Sequence, residues 1–362
     1  MKIDFAKLQY QYQLYKTEID EAIHSVLNKS NYIMGEEIKL LETSLKNFTH
    51  AKYSITCSSG TDALILAMMA LDIQPGDEVI TTPFTFIASA ESIAFLGAIP
   101  VFVDIDERTY NMDTSKIEKA ITSKTKAIMP VSIFGQPSNI MDIQKIANAS
   151  DLKIIIDGAQ SFGSTINGVL DSNLGDISTT SFFPAKPLGC FGDGGAVFTN
   201  DEKLAIKMMQ LRVHGQDKRY HHKYIGIGGR LDTIQAAILN VKLKYFTKDL
   251  ALRREVAAKY TKALENKTLI LPFIDPKSTS SWAQYSVRVE NREEVQIKLK
   301  KLGIPTSVHY PVPLHLQECF SYLGYKENDF PIAELVSKEI MSLPMNPYLT
   351  DYEIIYISES FK

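Results

Sequence analysis

Between residues 37 and 241 the chain alternates helical spacing of apolar residues with short continuous apolar runs, and this alternation leaves few folds open besides a mostly parallel sheet with helices on both faces. The spacing predicts helices over residues 63–71, 88–96, 116–121 and 143–149. Buried strands are predicted over 78–81, 100–103, 127–133 and 153–156. After a helical stretch over 231–262, the pattern changes to strand, helix and loop pieces: SWAQYSVRV, EEVQIKLKKLGI and SVHYPVPLH. The expected architecture is α/β: a large αβα domain with an N-terminal arm over residues 1–245, and a smaller α+β C-terminal domain over 246–362. One long helix is able to cross that boundary, and the first thirty or so residues can pack on either part.

The balance of 42 acidic against 39 basic residues supplies no broad positive field for nucleic acid or anionic lipid, so any anion site must be local. Cys57, Cys190 and Cys319 are odd in number and lack close C-x-x-C spacing, which favours a reducing compartment, hence the cytoplasm. The N-terminal segment has no apolar core of a signal peptide, and no uncharged apolar run reaches the ~18 residues of a membrane span. Neither export nor a membrane anchor is expected. His214, His221 and His222 match no usual zinc spacing, so no metal is expected. Gly192, Gly194 and Gly195 do not open a helix in dinucleotide-fingerprint order, and they suit a close turn instead.

The chemistry concentrates between Lys153 and Asn200. Asp157 directly follows three isoleucines, at the C-terminal end of a central parallel strand, where ligands of open α/β sheets bind. A carboxylate there needs a partner. A helix cap, Mg²⁺ and a protonated pyridine nitrogen are all open to it. Lys186 lies in SFFPAKPLG, between two prolines that disfavour a regular helix. It is either a surface lysine or a desolvated amine of lowered pKa, suited to covalent catalysis. Upstream, Cys57 to Ala63 reads as an extended piece running into a helix, with small side chains that leave amides free for an anion. Plain N-capping by Ser59 or Thr61 is the alternative.

Taken together, SSGTDAL, GDEVITTPFTFIASAESIAFLGAIPVFVDID, DGAQSFG, SFFPAKPLGCFGDGGAVFTND, RLDTIQAAIL and HYPVPLH closely resemble the DegT/DnrJ/StrS family of sugar aminotransferases, in order and spacing, over nearly the whole chain. The resemblance implies the type I fold of pyridoxal 5'-phosphate enzymes and a homodimer with active sites at the interface. By the same resemblance Lys186 is the lysine that bonds to the cofactor, and Asp157 is the partner of its pyridine nitrogen. Gln160 lies near the phenolic oxygen. Gly60, Thr61 and Ser181 match the phosphate-binding positions, and Phe86, rather than Phe84, matches the aromatic that stacks on the ring. Lys186 favours amino transfer over dehydration, because dehydratases of the family carry histidine there. One departure stands out: Gly228 replaces an asparagine that commonly reaches the neighbouring subunit's cofactor phosphate.

Within the family, RVHGQDKRYHHKYIG, RLDTIQAAIL and VHYPVPLH look most like enzymes that aminate C3 of a UDP-linked 2-acetamido-3-keto-hexuronic acid, with glutamate as donor. Arg230, His309 and Tyr310 match sugar-nucleotide contacts there; an interface role is the alternative for all three. Amination at C3 or C4 of a dTDP- or UDP-linked keto-6-deoxy sugar, a carbanion reaction without transfer, and a non-catalytic nucleotide-sugar-binding regulator complete the alternatives. The expected setting is polysaccharide or O-antigen biosynthesis.

Overall fold

Seven strands form the central sheet: β1 (Tyr53–Cys57), β2 (Glu78–Thr81), β3 (Ile99–Phe102), β4 (Thr125–Ile128), β5 (Lys153–Asp157), β6 (Ile177–Ser181) and β7 (Gly195–Thr199). The computed structural model describes residues 3–361, so the outermost residues of the two expected domains, 1, 2 and 362, lie outside it. Strand order is β1-β7-β6-β5-β4-β2-β3. All pairs are parallel except those of β7, which runs antiparallel to both its neighbours. The expected mostly parallel sheet is therefore present.

Both faces of the sheet are covered, and the period-2 alternation of a strand explains how. Ile155 packs into one apolar cluster with Leu64, Met68, Val79 and Val197. Ile154 and Ile156 face the other way, into a cluster with Ile80, Ile128 and Ile143. All three isoleucines are buried, and each contributes roughly 1.5–3 kcal/mol by leaving water. That anchoring holds Asp157, the next residue, at the strand's end.

Two predicted elements differ from the expectation. The strand expected over 127–133 runs from Thr125 only to Ile128, because Pro130 has no N–H to continue the ladder. Val131 still makes a lone bridge to Asp157, and Ile133–Gly135 forms a tight 3₁₀ turn. The helix expected over 116–121 is a 3₁₀ turn, Thr114–Lys116, followed by one α-turn, Ile117–Ala120. Its start is set early by the Asp113 side chain, which accepts the Ser115 N–H at 3.1 Å.

The helix Thr233–Leu264 runs unbroken past Phe246, the expected junction. Its first half, through Phe246 and Leu250, packs with Leu41, Phe162 and Phe182. Its second half, through Val256, Tyr260 and Leu264, packs with Tyr285, Val287 and Met341. There Tyr285–Arg288 and Ile340–Leu343 pair antiparallel. The N-terminal arm touches both parts. Ile3 joins the C-terminal cluster and Lys7 pairs with Glu353 at 2.6 Å, whereas Ile19 packs on Ile238 and Val241 of the long helix.

Candidate active site

Strands β1, β2, β5 and β6 all point toward the same edge of the sheet, so the segments that follow them converge there. Cys57 and Ser181, the last residues of β1 and β6, both pair with Gly195 of β7. This brings the turn after β1 beside Ser181. A Cβ on Gly60 would stand 2.8 Å from the Cβ of Ser181, closer than side chains pack, so only glycine permits the approach. A Cβ on Gly195 would meet the Ser59 carbonyl oxygen at 2.4 Å.

That turn opens the helix Gly60–Ala70. Ser59 caps it, its hydroxyl accepting the Asp62 N–H at 3.0 Å. The N–H groups of Gly60 and Thr61 have no partner among the described residues. Capping and anion binding, set as alternatives by the sequence, thus use different atoms of one turn. The two free amides and the helix dipole favour a negative group.

Asp157 is buried at the end of β5. Its Oδ2 accepts the Ser89 hydroxyl at 2.6 Å and its Oδ1 accepts the Ala159 N–H at 3.2 Å. Ser89 is in turn 3.0 Å from the Thr85 hydroxyl. These bonds fix the plane of the carboxylate and leave lone pairs for a ligand.

Lys186 follows β6 in a loop closed by its own N–H to the Phe183 carbonyl at 2.8 Å and by Cys190 N–H to the Phe182 carbonyl at 2.8 Å. The side chain is half-buried and lines the cavity. Burial pushes the amine's pKa below the ordinary lysine value, and the charge of Asp157 pulls the other way. The net direction is down, toward a free amine.

Gln160 is oriented from both ends. Its Oε1 accepts the Phe134 N–H at 2.6 Å, and its Nε2 donates to the Tyr310 hydroxyl at 3.1 Å. Tyr310 has its pKa raised by burial and then by Asp157, so it stays a neutral phenol. His309 is held by Ser342 at 2.8 Å on Nδ1 and faces Ser307 at 3.3 Å on Nε2. Burial first, and Lys186 second, lower its pKa to about 4, leaving a neutral imidazole at pH 7. Phe86 is 54% exposed with its ring 6.1 Å from that of Tyr310, whereas Phe84 is fully buried in the core.

A cavity of about 480 Å³ unites these groups: Gly60, Thr61, Phe86, Asp157, Gln160, Ser181, Lys186, His309 and Tyr310 all line it. Arg230 does not. It follows Gly229, whose N–H donates to the Arg212 carbonyl and whose carbonyl accepts the Ser58 N–H. Gly228 is exposed, and a Cβ there would meet His214 at 3.1 Å and the Arg230 guanidinium at 3.8 Å. Among the described residues no cluster of three or more His, Cys, Asp or Glu is placed to hold a metal. His221 pairs with Asp217 and His222 with the His214 carbonyl.

Sequence reasoning missed Ser89, Thr85, Asp193 and Gln284. The last three line the cavity, and Ser89 supports Asp157 from behind. Thr85 lies in the bend before the helix Ala88–Phe95 and Ser89 in its first turn, and nothing in their sequence names a partner. Asp193 sits among the glycines read as a turn, and nothing in SWAQYSVRV separates Gln284 from an ordinary strand residue.

The donor set suits pyridoxal 5'-phosphate. Two unpaired helix amides meet a phosphate, a desolvated amine meets an aldehyde, a buried carboxylate meets a pyridinium nitrogen, and an exposed aromatic face meets a flat ring. The DegT/DnrJ/EryC1/StrS aminotransferase family model matches residues 13–362. The chain is 49% identical to UDP-2-acetamido-2-deoxy-3-oxo-D-glucuronate aminotransferase of Pseudomonas aeruginosa, over 96% of each chain. It is 44% identical to a pleiotropic regulatory protein of Geobacillus stearothermophilus, over 99% of this chain and 97% of that one. The crystal structure of NtdA from Bacillus subtilis with bound cofactor PMP superposes with a TM-score of 0.91 at 30% identity, covering 99% of this chain and 84% of that one.

Proposed function

The chain belongs to the DegT/DnrJ/EryC1/StrS aminotransferase family, and from that premise we propose that it moves an amino group from L-glutamate to C3 of a UDP-linked 2-acetamido-3-keto-hexuronic acid. The observation that carries this reading is the shared cavity of Lys186, Asp157 and the free amides of Gly60 and Thr61. One nucleotide-sugar carbonyl becomes an amine and one amino acid becomes 2-oxoglutarate, so the exchange needs no outside oxidant or reductant.

The cofactor is pyridoxal 5'-phosphate. Bound, it supplies an electron sink for the carbanion formed when a proton leaves the donor carbon. Asp157, oriented by Ser89 and Ala159, would hold the pyridine nitrogen in its protonated form. Gly60, Thr61 and Ser181 would hold the phosphate, and Phe86 would stack on the ring. Lys186 Nζ, free of its proton because it is desolvated, takes a proton from the donor carbon and returns it to the sugar carbon. His309 and Tyr310 line the same cavity as neutral groups that can face the sugar.

A homodimer gives Arg230 its place, since an arginine outside its own cavity can serve the neighbouring subunit's cavity. Its fork suits the carboxylate or pyrophosphate of such a substrate. Phe183, Phe191, Tyr220 and Ile225 are exposed apolar residues available to an interface. The reading places the enzyme in the cytoplasm, with Cys57, Cys190 and Cys319 all unpaired.

The test is incubation of the purified, cofactor-loaded protein with glutamate and a panel of UDP- and dTDP-linked keto sugars, following 2-oxoglutarate and the amino sugar. Lys186→Ala should lose turnover by roughly 10²–10⁴ or more, together with the visible absorbance of lysine-bound cofactor. Normal turnover in that variant rejects the assignment. The likeness to a protein named as a regulator favours one second reading, a nucleotide-sugar-binding regulator. Amine transfer by the wild type rejects it, and its absence with nucleotide-sugar binding intact supports it.

A further inference from the structure

Gln284 stands in the wall of the catalytic cavity on the segment that enters the strand Tyr285–Arg288. Its backbone N–H reaches the Phe134 carbonyl at 3.5 Å, which ties it to the turn that also orients Gln160. Its side chain is different. The Oε1 atom is buried with no hydrogen-bond partner, whereas the Nε2 atom is not buried and donates to no group among the described residues. A buried amide oxygen left unpaired costs roughly 1–3 kcal/mol, so such a group in a native wall calls for a partner, and the open Nε2 beside it can meet one from the cavity.

We infer that Gln284 is a specificity-determining residue that pairs with a neutral donor–acceptor substituent of the hexose ring, a hydroxyl or an acetamido group. The inference rests on the nucleotide-sugar reading of this cavity. Three points favour the sugar over the amino donor. A carboxylate of glutamate would draw a cation, whereas an amide is matched in polarity by an uncharged group that both gives and takes a hydrogen bond. Gln284 shares its wall with His309 and Tyr310, two further neutral polar groups. The phosphate-binding turn at Gly60 uses backbone amides for its anion, so the Gln284 amide is not needed there.

One rival is local. Gln284 also borders a second, smaller space of about 20 Å³ lined by Phe134, Trp282 and Ser286. That space is large enough for one trapped water to satisfy the amide.

The test measures binding of UDP, UDP-glucose and UDP-N-acetylglucosamine by calorimetry to the cofactor-loaded wild type, Gln284→Met and Gln284→Asn. The wild type should bind the sugars more tightly than UDP, and Gln284→Met should lose roughly tenfold on the sugars while holding UDP unchanged. Loss with both sugars identifies a hydroxyl, and loss only with the N-acetyl sugar identifies the acetamido group. Gln284→Asn, which keeps the amide but withdraws it by one carbon, carries the same test if the methionine variant does not fold. Equal sugar binding by wild type and variants overturns the inference, points to the trapped water, and leaves the nucleotide-sugar reading standing. A wild type that binds neither UDP nor the sugars overturns both.

Discussion

Ser89 donates its hydroxyl to Oδ2 of Asp157 at 2.6 Å across 68 residues of sequence, joining the helix Ala88–Phe95 to the end of the central strand β5. The bond is buried and made to a carboxylate, so it orients the group that we propose pairs with the pyridine nitrogen. Ser89→Ala should fold and should weaken cofactor affinity by roughly tenfold, within the ~1.5–3 kcal/mol range of a hydrogen bond to a charge. Fluorescence titration with pyridoxal phosphate reads it, and an unchanged dissociation constant would show that Asp157 needs no such support.

Gly60 has no room for a methyl group against Ser181. Gly60→Ala should force the turn away from β6 and cost about 1–3 kcal/mol of stability. Cofactor phosphate binding should fall further than stability does, because the two free amides move with the turn. Thermal melts with and without cofactor measure both. If the variant gains as many degrees from the cofactor as the wild type, the turn is not the phosphate site.

His309 titrates at about 4 in the folded chain, below its ordinary value of 6.5. The unfolded chain therefore binds a proton first as pH falls. The stability that depends on neutral His309 is complete above pH 6.5 and is lost as pH drops toward 4. Melting temperatures of the cofactor-free protein across that window should fall more steeply for wild type than for His309→Gln. Parallel curves would rule out a buried neutral imidazole.

Asp171 has the opposite sign. It is buried and accepts a hydrogen bond from Ser161; burial raises its pKa to about 6, with Asp157 adding to the rise. Its contribution is complete below pH 3.8 and is lost as pH climbs through 6, where a second charge must be held near Asp157. Asp171→Asn should therefore be more stable than wild type above pH 6, by on the order of 1 kcal/mol, with the difference shrinking toward pH 4. Denaturant titrations at pH 4.5 and 8 decide it; a variant equally weakened at both values would mean that Asp171 acts only as an acceptor for Ser161.

Much of the site was legible because its residues carry local signatures. Lys186 lies between prolines, Asp157 ends an isoleucine run, and small residues precede the helix at Gly60. Phe86 lines the cavity and Phe84 lies in the core, a difference that their shared stretch TTPFTFIASA does not itself record. The strand over 127–133 was read too long because apolar content continues through Met129 and Val131, while Pro130 removes the donor on which the ladder depends. Arg230 lies in a stretch that resembles the family but lines no part of its own chain's cavity, which no local pattern could reveal.

The order of helices and strands, and the residue types suited to an amine, an acid and an anion cup, are set by neighbours along the chain and can be read there. Only the folded molecule decided that Ser89 meets Asp157, that Gln160 is held between Phe134 and Tyr310, and that the Gln284 amide enters the wall without a partner. Those contacts follow from strand order and from where the C-terminal part docks. Periodicity records which face of an element is buried, but not which distant element covers it.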